Sequence, residues 1–332
     1  MTLKISVEIT GVAPCVSVAL ATYNGEKYLH AQLDSILAQT YPPGEIVVVD
    51  DCSTDKTLTI LEEYCCRFPK LITVERNKEN IGYVKNFQKS LLLCRGDFIA
   101  LCDQDDIWDP QKIAILVDRI GNADIIHSDA RLIDSANSLI TASFSQYSAK
   151  RSKDNRFLKL CLNNTVTGCT MLFRRSLLER AVPFPPCIPH DHWLALLAAD
   201  GKGIAYYPSP LVSYRQHEGN VLGAKAAHGR EKKEPKAAKN WSAYIKAREE
   251  INDRRRKKFA CLGAASAFRI SERNRRSILK LEKYYASYFE KRIRVRAFLF
   301  HIFHLRIMSE KKTFAQSMHG LLLSLFGIGR SE

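Results

Sequence analysis

No stretch of this 332-residue chain reaches 18 consecutive apolar residues, the length at which a segment reads as a membrane-spanning helix. No transmembrane helix is therefore expected. The amino-terminal segment has no basic stretch leading into an apolar one, so no signal peptide is expected either. None of the ten cysteines forms a C-x-x-C pair, and several lie inside apolar runs. That scatter predicts reduced, buried thiols of a cytosolic protein, with neither a disulfide framework nor a zinc site. Two nucleotide-binding signatures are also missing. No G-x-G-x-x-G follows the first strand-like run, which argues against a dinucleotide-dependent dehydrogenase. No G-x-x-x-x-G-K-[ST] occurs, which argues against a P-loop NTPase.

The length and a hydrophobic content of 46% suit one large globular domain or two smaller ones. The net charge of +15 is spread unevenly. Residues 225–332 carry 27 Lys and Arg against 10 Asp and Glu, whereas residues 1–224 carry 23 against 25. Two regions with different electrostatic roles follow, 1–223 and 224–332, with the boundary near Gly223 at the start of a polar, lysine-rich run.

Apolar runs at 16–21, 46–49, 71–74, 98–102 and 125–127 read as strands. Helical spacing fills 26–39, 57–68, 85–94 and 112–120 between them. Such alternation predicts an α/β fold with a mostly parallel sheet and helices on both faces. Beyond Asp129 the alternation weakens, with strands expected at 166–173, 204–207 and 211–214 and a helix restarting at 194–199. From Trp241 onward the pattern is mainly helical and basic.

The fourth strand delivers Asp103, Asp105 and Asp106 within four positions. A strand that is apolar on both faces is buried, so these carboxylates emerge at its carboxyl end, where open α/β sheets bind ligands. Close carboxylates repel unless a cation sits among them, and Mg²⁺ or Mn²⁺ suits oxygen ligands. A solvated turn capping the helix after Asp109-Pro110 is the plainer alternative. Asp50-Asp51 ends the second strand, and Asn80-x-Gly82 follows the third. Two carboxylate clusters beside one crevice suit a nucleotide diphosphate accompanied by a metal.

Seven segments in order resemble the family 2 glycosyltransferases of the GT-A fold. They are A-T-Y-N-G-E-K-Y-L at 21–29, V-V-V-D-D-C-S-T-D-K-T at 47–57, N-x-x-N-I-G-Y-V-K-N-F at 77–87, C-D-Q-D-D-I-W at 102–108, T-G-C-T at 167–170, H-D-H-W at 190–193 and Y-R-Q-H at 214–217. The resemblance covers residues 14–220. It implies a metal-dependent, inverting transfer of a sugar from a nucleotide-diphospho-sugar to a hydroxyl group. It assigns Ala21, Thr22, Tyr23, Asp51, Asn80, Gly82, Lys85, Asp103, Gln104 and Asp105 to the donor, and Asp105 with His217 to the metal. Gly168, His190 and Trp193 fall on the acceptor side, and Asp191 becomes the catalytic base. Each has a plainer reading: Asp50, Asp51 and Asp191 as helix caps, Gly82 as a turn glycine, Trp193 as core and His217 as structural.

The pairing of D-Q-D-D-I-W with H-D-H-W and Y-R-Q-H resembles bacterial O-antigen and capsule rhamnosyltransferases, which implies dTDP-L-rhamnose, with a UDP-hexose as the alternative donor. The implied acceptor is a glycan or a polyprenyl-diphosphate-linked saccharide. The segment at 292–308 interleaves Arg with Phe, Leu and Ile, and 321–326 adds an apolar patch. Such a tail suits docking on an anionic membrane surface, at the inner face of the cytoplasmic membrane. A helical subdomain with a solvated basic face is the alternative. A nucleic-acid-binding protein is the rival from another class, given pI 9.4 and the basic run at 254–258. It leaves Asp103, Asp105 and Asp106 unexplained, because carboxylates repel phosphate, and no nucleic-acid partner is expected. A nucleotidyltransferase lacks its expected glycine-rich basic loop here.

Overall fold

The computed structural model describes residues 13–147, 155–218, 241–267 and 269–287, with backbone only for 241–249. The first half alternates strand and helix: β1 (Val16–Thr22), α1 (Leu29–Leu37), β2 (Glu45–Asp50), α2 (Thr57–Arg67), β3 (Ile72–Arg76), α3 (Tyr83–Leu93), β4 (Phe98–Asp103), β5 (Ile107–Trp108), α4 (Lys112–Arg119) and β6 (Ile125–Ile133). There follow β7 (Leu139–Thr141), α5 (Phe144–Tyr147), α6 (Phe157–Leu162), β8 (Met171–Arg174), α7 (Leu178–Ala181), α8 (His190–Asp200) and β9 (Ile204–Arg215). Two long helices close the described chain, α9 (Trp241–Ala265) and α10 (Glu272–Ser287).

One sheet runs in the order β3-β2-β1-β4-β8-β6-β9-β5, with β7 paired to β6. The four strands β3-β2-β1-β4 are wholly parallel, and β8 enters antiparallel between β4 and β6. Strand alternation sorts side chains onto two faces. Val18, Leu20, Ala100 and Cys102 pack with α1, α2 and α4, while Ala19, Ile99 and Leu101 pack with α3 and α8. β1 and β4 are therefore buried on both faces, as their continuous apolar runs require.

Three details depart from the sequence reading. The run at 166–173 is extended only from Met171, because Gly168–Thr170 tightens into a 3₁₀ turn. The two strands expected at 204–207 and 211–214 are one strand, β9, whose register against β6 shifts near Asp129. Pro208 and Pro210 fall in that shifted stretch, where missing N–H groups cost the ladder least. Lastly, Cys187 and Cys261 form a disulfide, with Cα atoms 6.1 Å apart. The expectation of wholly reduced thiols is corrected there: α9 packs back onto the loop before α8, a contact between residues 74 positions apart that no local spacing announces.

Phe259 and Leu262 of α9 and Ile278, Leu281, Tyr284 and Tyr285 of α10 join the same core cluster as α8. The described part of the basic region is thus packed on the helices that flank the sheet. The boundary near Gly223 and the segments at 292–308 and 321–326 lie outside the described residues. Among the described residues, no helix is long and apolar enough to cross a membrane.

Candidate active site

The parallel strands β1, β2 and β4 end together at one edge. Register sets Ala21 opposite Asp103 and Thr22 opposite Asp50. Alternation then turns Thr22 inward, where it is buried and its Oγ1 donates to Asp50 Oδ2 at 3.0 Å. This corrects the donor-lining role expected of the Thr22 side chain. Tyr23, the next residue, is 46% exposed. Asp50 also accepts from the Ser53 backbone N–H at 2.9 Å, so it fixes the turn ahead of α2.

Asp51 is 2% exposed and accepts from Asn77 Nδ2 at 2.8 Å and from the N–H groups of Ile81 and Gly82, both at 2.9 Å. It organises the loop ahead of α3. Asn80 Oδ1 accepts a second bond from the Gly82 N–H at 3.1 Å. Gly82 has φ +84°, a conformation that other residues rarely adopt. Asn80 and Lys85 are exposed beside this loop. Gln104 makes a reciprocal amide pair with the Tyr23 backbone, accepting at 2.8 Å and donating at 2.9 Å. Its amide holds the loop after β1 against the acidic turn.

Asp103 faces both Asp105 and Asp191. Burial, and then those two like charges, push its carboxyl up to about 7. Asp106 is fully buried and also pushed well up, by burial first and by Asp105 and Asp103 next. His217 Nε2 lies 2.7 Å from Asp105 Oδ2, and its ring is 4.9 Å from that of Tyr28.

Two buried cations back this cluster, and sequence reasoning gave neither a role. Lys112 Nζ donates to the Cys169 carbonyl at 2.7 Å and sits 3.2 Å from the Trp108 ring centroid. Burial pulls its amine down to about 8. Arg215 donates its backbone N–H to Asp106 Oδ1 at 3.0 Å and its Nε to the Asp105 carbonyl at 2.7 Å. Its guanidinium lies 4.4 Å from the Tyr28 ring centroid. A faint signal existed for Lys112, which shares a helix face with Leu116 four residues on.

Asp191 stands in the first turn of α8, where the helix dipole favours a carboxylate. Its Oδ1 accepts from the His192 N–H at 2.6 Å and its Oδ2 from the Gly168 N–H at 3.2 Å. A Cβ on Gly168 would meet His190 Nε2 at 3.3 Å and Asp191 Cβ at 3.6 Å, so the glycine permits the close approach. Tyr83, half-buried at the start of α3, has its hydroxyl pushed up by burial and by the Asp191 charge. It belongs to this site, and in the sequence its only signal is its place inside the motif at 77–87.

Two acceptor-side expectations are corrected. Trp193 is 0% exposed and its Nε1 donates to the Ala181 carbonyl at 2.9 Å, because α8 is buried on nearly every side. His190 is 6% exposed and stacks on Phe87 with centroids 4.0 Å apart, and burial drives its imidazole down to about 3. Neither ring presents a surface to an acceptor. A cavity of about 760 Å³ adjoins the cluster, lined in part by Gly25, Tyr28, Gln104, Asp134, Tyr147 and His217.

Oxygen atoms of Asp103 and Asp106 and the Cys169 sulfur come within 4.8 Å of one another. Cys169 offers a soft sulfur, which Mg²⁺ or Mn²⁺ takes up less readily than carboxylate oxygen. The remaining carboxylate oxygens, with the Asp105–His217 pair beside them, fit a hard divalent cation.

Comparisons with known proteins bear on the family and the fold. Residues 17–181 match Glycosyl transferase family 2. An uncharacterized protein of Mycobacterium tuberculosis (strain ATCC 25618 / H37Rv) is 30% identical over 264 residues, 77% of this chain and 74% of that protein. A dTDP-rhamnosyl transferase of Shigella flexneri is 29% identical over 220 residues, 62% of this chain and 74% of its own. In fold, the chain is similar to S. aureus TarS 1-349 in complex with UDP-GlcNAc, at TM-score 0.55 and 19% identity over 94% of this chain and 81% of that one. It is also similar to a mannosyltransferase from Pyrobaculum calidifontis in complex with GDP-Man and Mn²⁺, at TM-score 0.52 and 19% identity over 95% and 87%. The chain belongs to glycosyltransferase family 2.

Proposed function

We propose that this glycosyltransferase is an inverting enzyme that moves L-rhamnose from dTDP-L-rhamnose to a hydroxyl of a glycan or a polyprenyl-diphosphate-linked acceptor in cell-surface polysaccharide synthesis. The observation that carries the chemistry is that Asp103, at the end of β4, feels the charges of both Asp105 and Asp191. A hydroxyl is a poor nucleophile until a carboxylate removes its proton as the new bond forms. Asp191 takes that proton while the acceptor oxygen attacks the anomeric carbon in line and the nucleoside diphosphate leaves, with no covalent enzyme intermediate. Ala21, Tyr23, Asp51, Asn80, Gly82, Lys85, Asp103 and Asp105 shape the donor pocket, and Gln104 holds the loop that carries Tyr23. A divalent cation, Mg²⁺ or Mn²⁺, held by Asp105 with His217, would neutralise the charge of the leaving diphosphate.

The dTDP-rhamnosyl transferase of S. flexneri supports the rhamnose donor. A UDP-hexose is the second reading, supported by the UDP-GlcNAc complex of S. aureus TarS, whose fold this chain shares. The basic carboxyl-terminal region, with its Arg-rich segment at 292–308, suits an anionic membrane at the inner face of the cytoplasmic membrane, where a lipid-linked acceptor resides. A panel of nucleotide-sugars with Mn²⁺, scored by thermal shift and then by transfer, tests the donor. Stabilisation and turnover are expected with dTDP-L-rhamnose above all others. A larger response to a UDP-hexose favours the second reading, and silence across the panel removes both. Deletion of 292–332 is expected to weaken binding to anionic liposomes at low salt, and unchanged binding removes membrane docking.

A further inference from the structure

Helix α8 is apolar nearly all the way round. Residues His190 and His192 to Ala198 are buried, and only Asp191, Ala199 and Asp200 are partly open. A helix with this pattern must be covered on every side. Strands and α3 cover one side of α8. Another side rests on α6, against which α10 packs in turn, so that Phe259, Leu262, Ile278 and Leu281 fall in the same apolar cluster as Trp193 and Leu197.

Polar ties then pin α8 at both ends. Ahead of its first turn, Cys187 is bridged to Cys261 of α9, and Arg269 Nη1 donates to the Pro183 carbonyl at 2.7 Å. Within the first turn, His192 Nε2 meets the Leu160 carbonyl at 2.5 Å, while Lys258 Nζ of α9 donates to the adjacent Cys161 carbonyl at 2.8 Å. The end of α6 is thus gripped from α8 and α9 together. At the far end, the Asp200 carboxylate accepts from the Ser271 N–H at 2.9 Å and from Asn274 Nδ2 at 2.9 Å, and also from the Ser271 hydroxyl. A carboxylate there also meets the positive end of the α10 dipole.

We propose that the α9–α10 pair is a clamp that positions Asp191 against Asp103 and Asp105, and that the Cys187–Cys261 bridge is the part of the clamp that opens and closes. The inference rests on the reading of Asp191 as the base. Its residues lie beyond the matched family segment, which ends at residue 181. Base placement thereby depends on the basic carboxyl-terminal region, so the two charge regions of the chain act as one catalytic unit. Opening needs a dithiol reductant. Its thiolate attacks one sulfur of the bridge, its second thiol displaces the mixed disulfide, and Cys187 and Cys261 leave as thiols while the reductant leaves as a cyclic disulfide. Closing returns two electrons and two protons to an oxidant of the disulfide class.

Amide hydrogen exchange and steady-state kinetics on the full chain, with and without dithiothreitol, test the clamp. Exchange at 190–196 is expected to rise about tenfold on reduction while β1 to β4 stay protected. In the same sample kcat is expected to fall about tenfold with donor KM within about twofold, since small misplacement of a base costs turnover before binding. Re-oxidation with oxidised glutathione restores both. Cys261→Ser is expected to sit at the reduced values regardless of reductant, and Asp200→Ala to loosen the far end of α8 in both redox states while the bridge keeps its response to reductant. Unchanged exchange at 190–196 on reduction and in Asp200→Ala overturns the clamp. Loss of donor binding in step with kcat also overturns it, since general loosening then explains the result. If exchange rises but no nucleotide-sugar is turned over, the clamp stands as structure and the transferase reading fails.

Discussion

Lys112→Met removes a fully buried cation and leaves its volume nearly unchanged. In the native chain that ammonium donates to the Cys169 carbonyl and lies over the Trp108 ring, with the Asp103 and Asp106 charges acting on it. Removing one member of a buried charge group, so that the others stay behind uncompensated, costs about 3–5 kcal/mol. For a chain of this size, roughly 2 °C of Tm accompanies each kcal/mol, so a drop of about 6–10 °C is expected at pH 7.5. The pH dependence separates charge from packing. Asp103 and Asp106 have raised pKa values in the fold, so deprotonating them costs stability as pH rises. Without Lys112 that cost grows. The deficit of Lys112→Met should therefore shrink as pH falls from 7.5 to 5, where the carboxyls regain protons. Adding Asp106→Asn, which keeps an acceptor for the Arg215 N–H, should recover part of the loss. Differential scanning calorimetry at several pH values reads all three quantities. A deficit that is constant with pH and unrelieved by Asp106→Asn refutes the counter-ion role.

Asp191→Asn should lower transfer by at least about 10²-fold while nucleotide-diphosphate affinity holds, as isothermal titration would read; near-native turnover removes the base assignment. Trp193→Ala should cost about 3–5 kcal/mol by urea unfolding, with no selective rise in acceptor KM, because the ring is core. His190 and His192 are held neutral with pKa values near about 3, well below the unfolded value of about 6.5. Their contribution is complete above that unfolded value and is lost as pH falls towards the folded one, at up to about 1.4 kcal/mol per pH unit for each. His192→Gln should flatten that acid limb in urea titrations between pH 6.5 and 4.5. His217→Ala should weaken Mn²⁺ binding by about tenfold, read by titration calorimetry without substrate.

Particular residues show where sequence reasoning stopped. β1, β2 and β4 were legible because strands buried on both faces must be continuously apolar, and their order then puts Asp51, Asp103 and Asp105 at one edge. Asp191 stood out in the sequence by its place in a motif, and the structure sets it in the first turn of α8. Thr22 was misplaced because a one-residue alternation decides which face a side chain takes, and Trp193 because its motif resembles a binding surface while its helix is buried on nearly every side. Lys112 and Arg215 look like ordinary surface cations in a row of letters, and only packing takes them inside.

By itself, the sequence determined the alternating α/β pattern, the acidic strand end and the split between a near-neutral and a basic region, since local periodicity and composition carry these. The tertiary structure alone decided how Asp105 meets His217, 112 positions on, how Lys112 backs the carboxylates, and how α9 and α10 are tied to the ends of α8. Each of these joins residues distant in the chain, and burial changes the energy of a charge far more than its neighbours in sequence do.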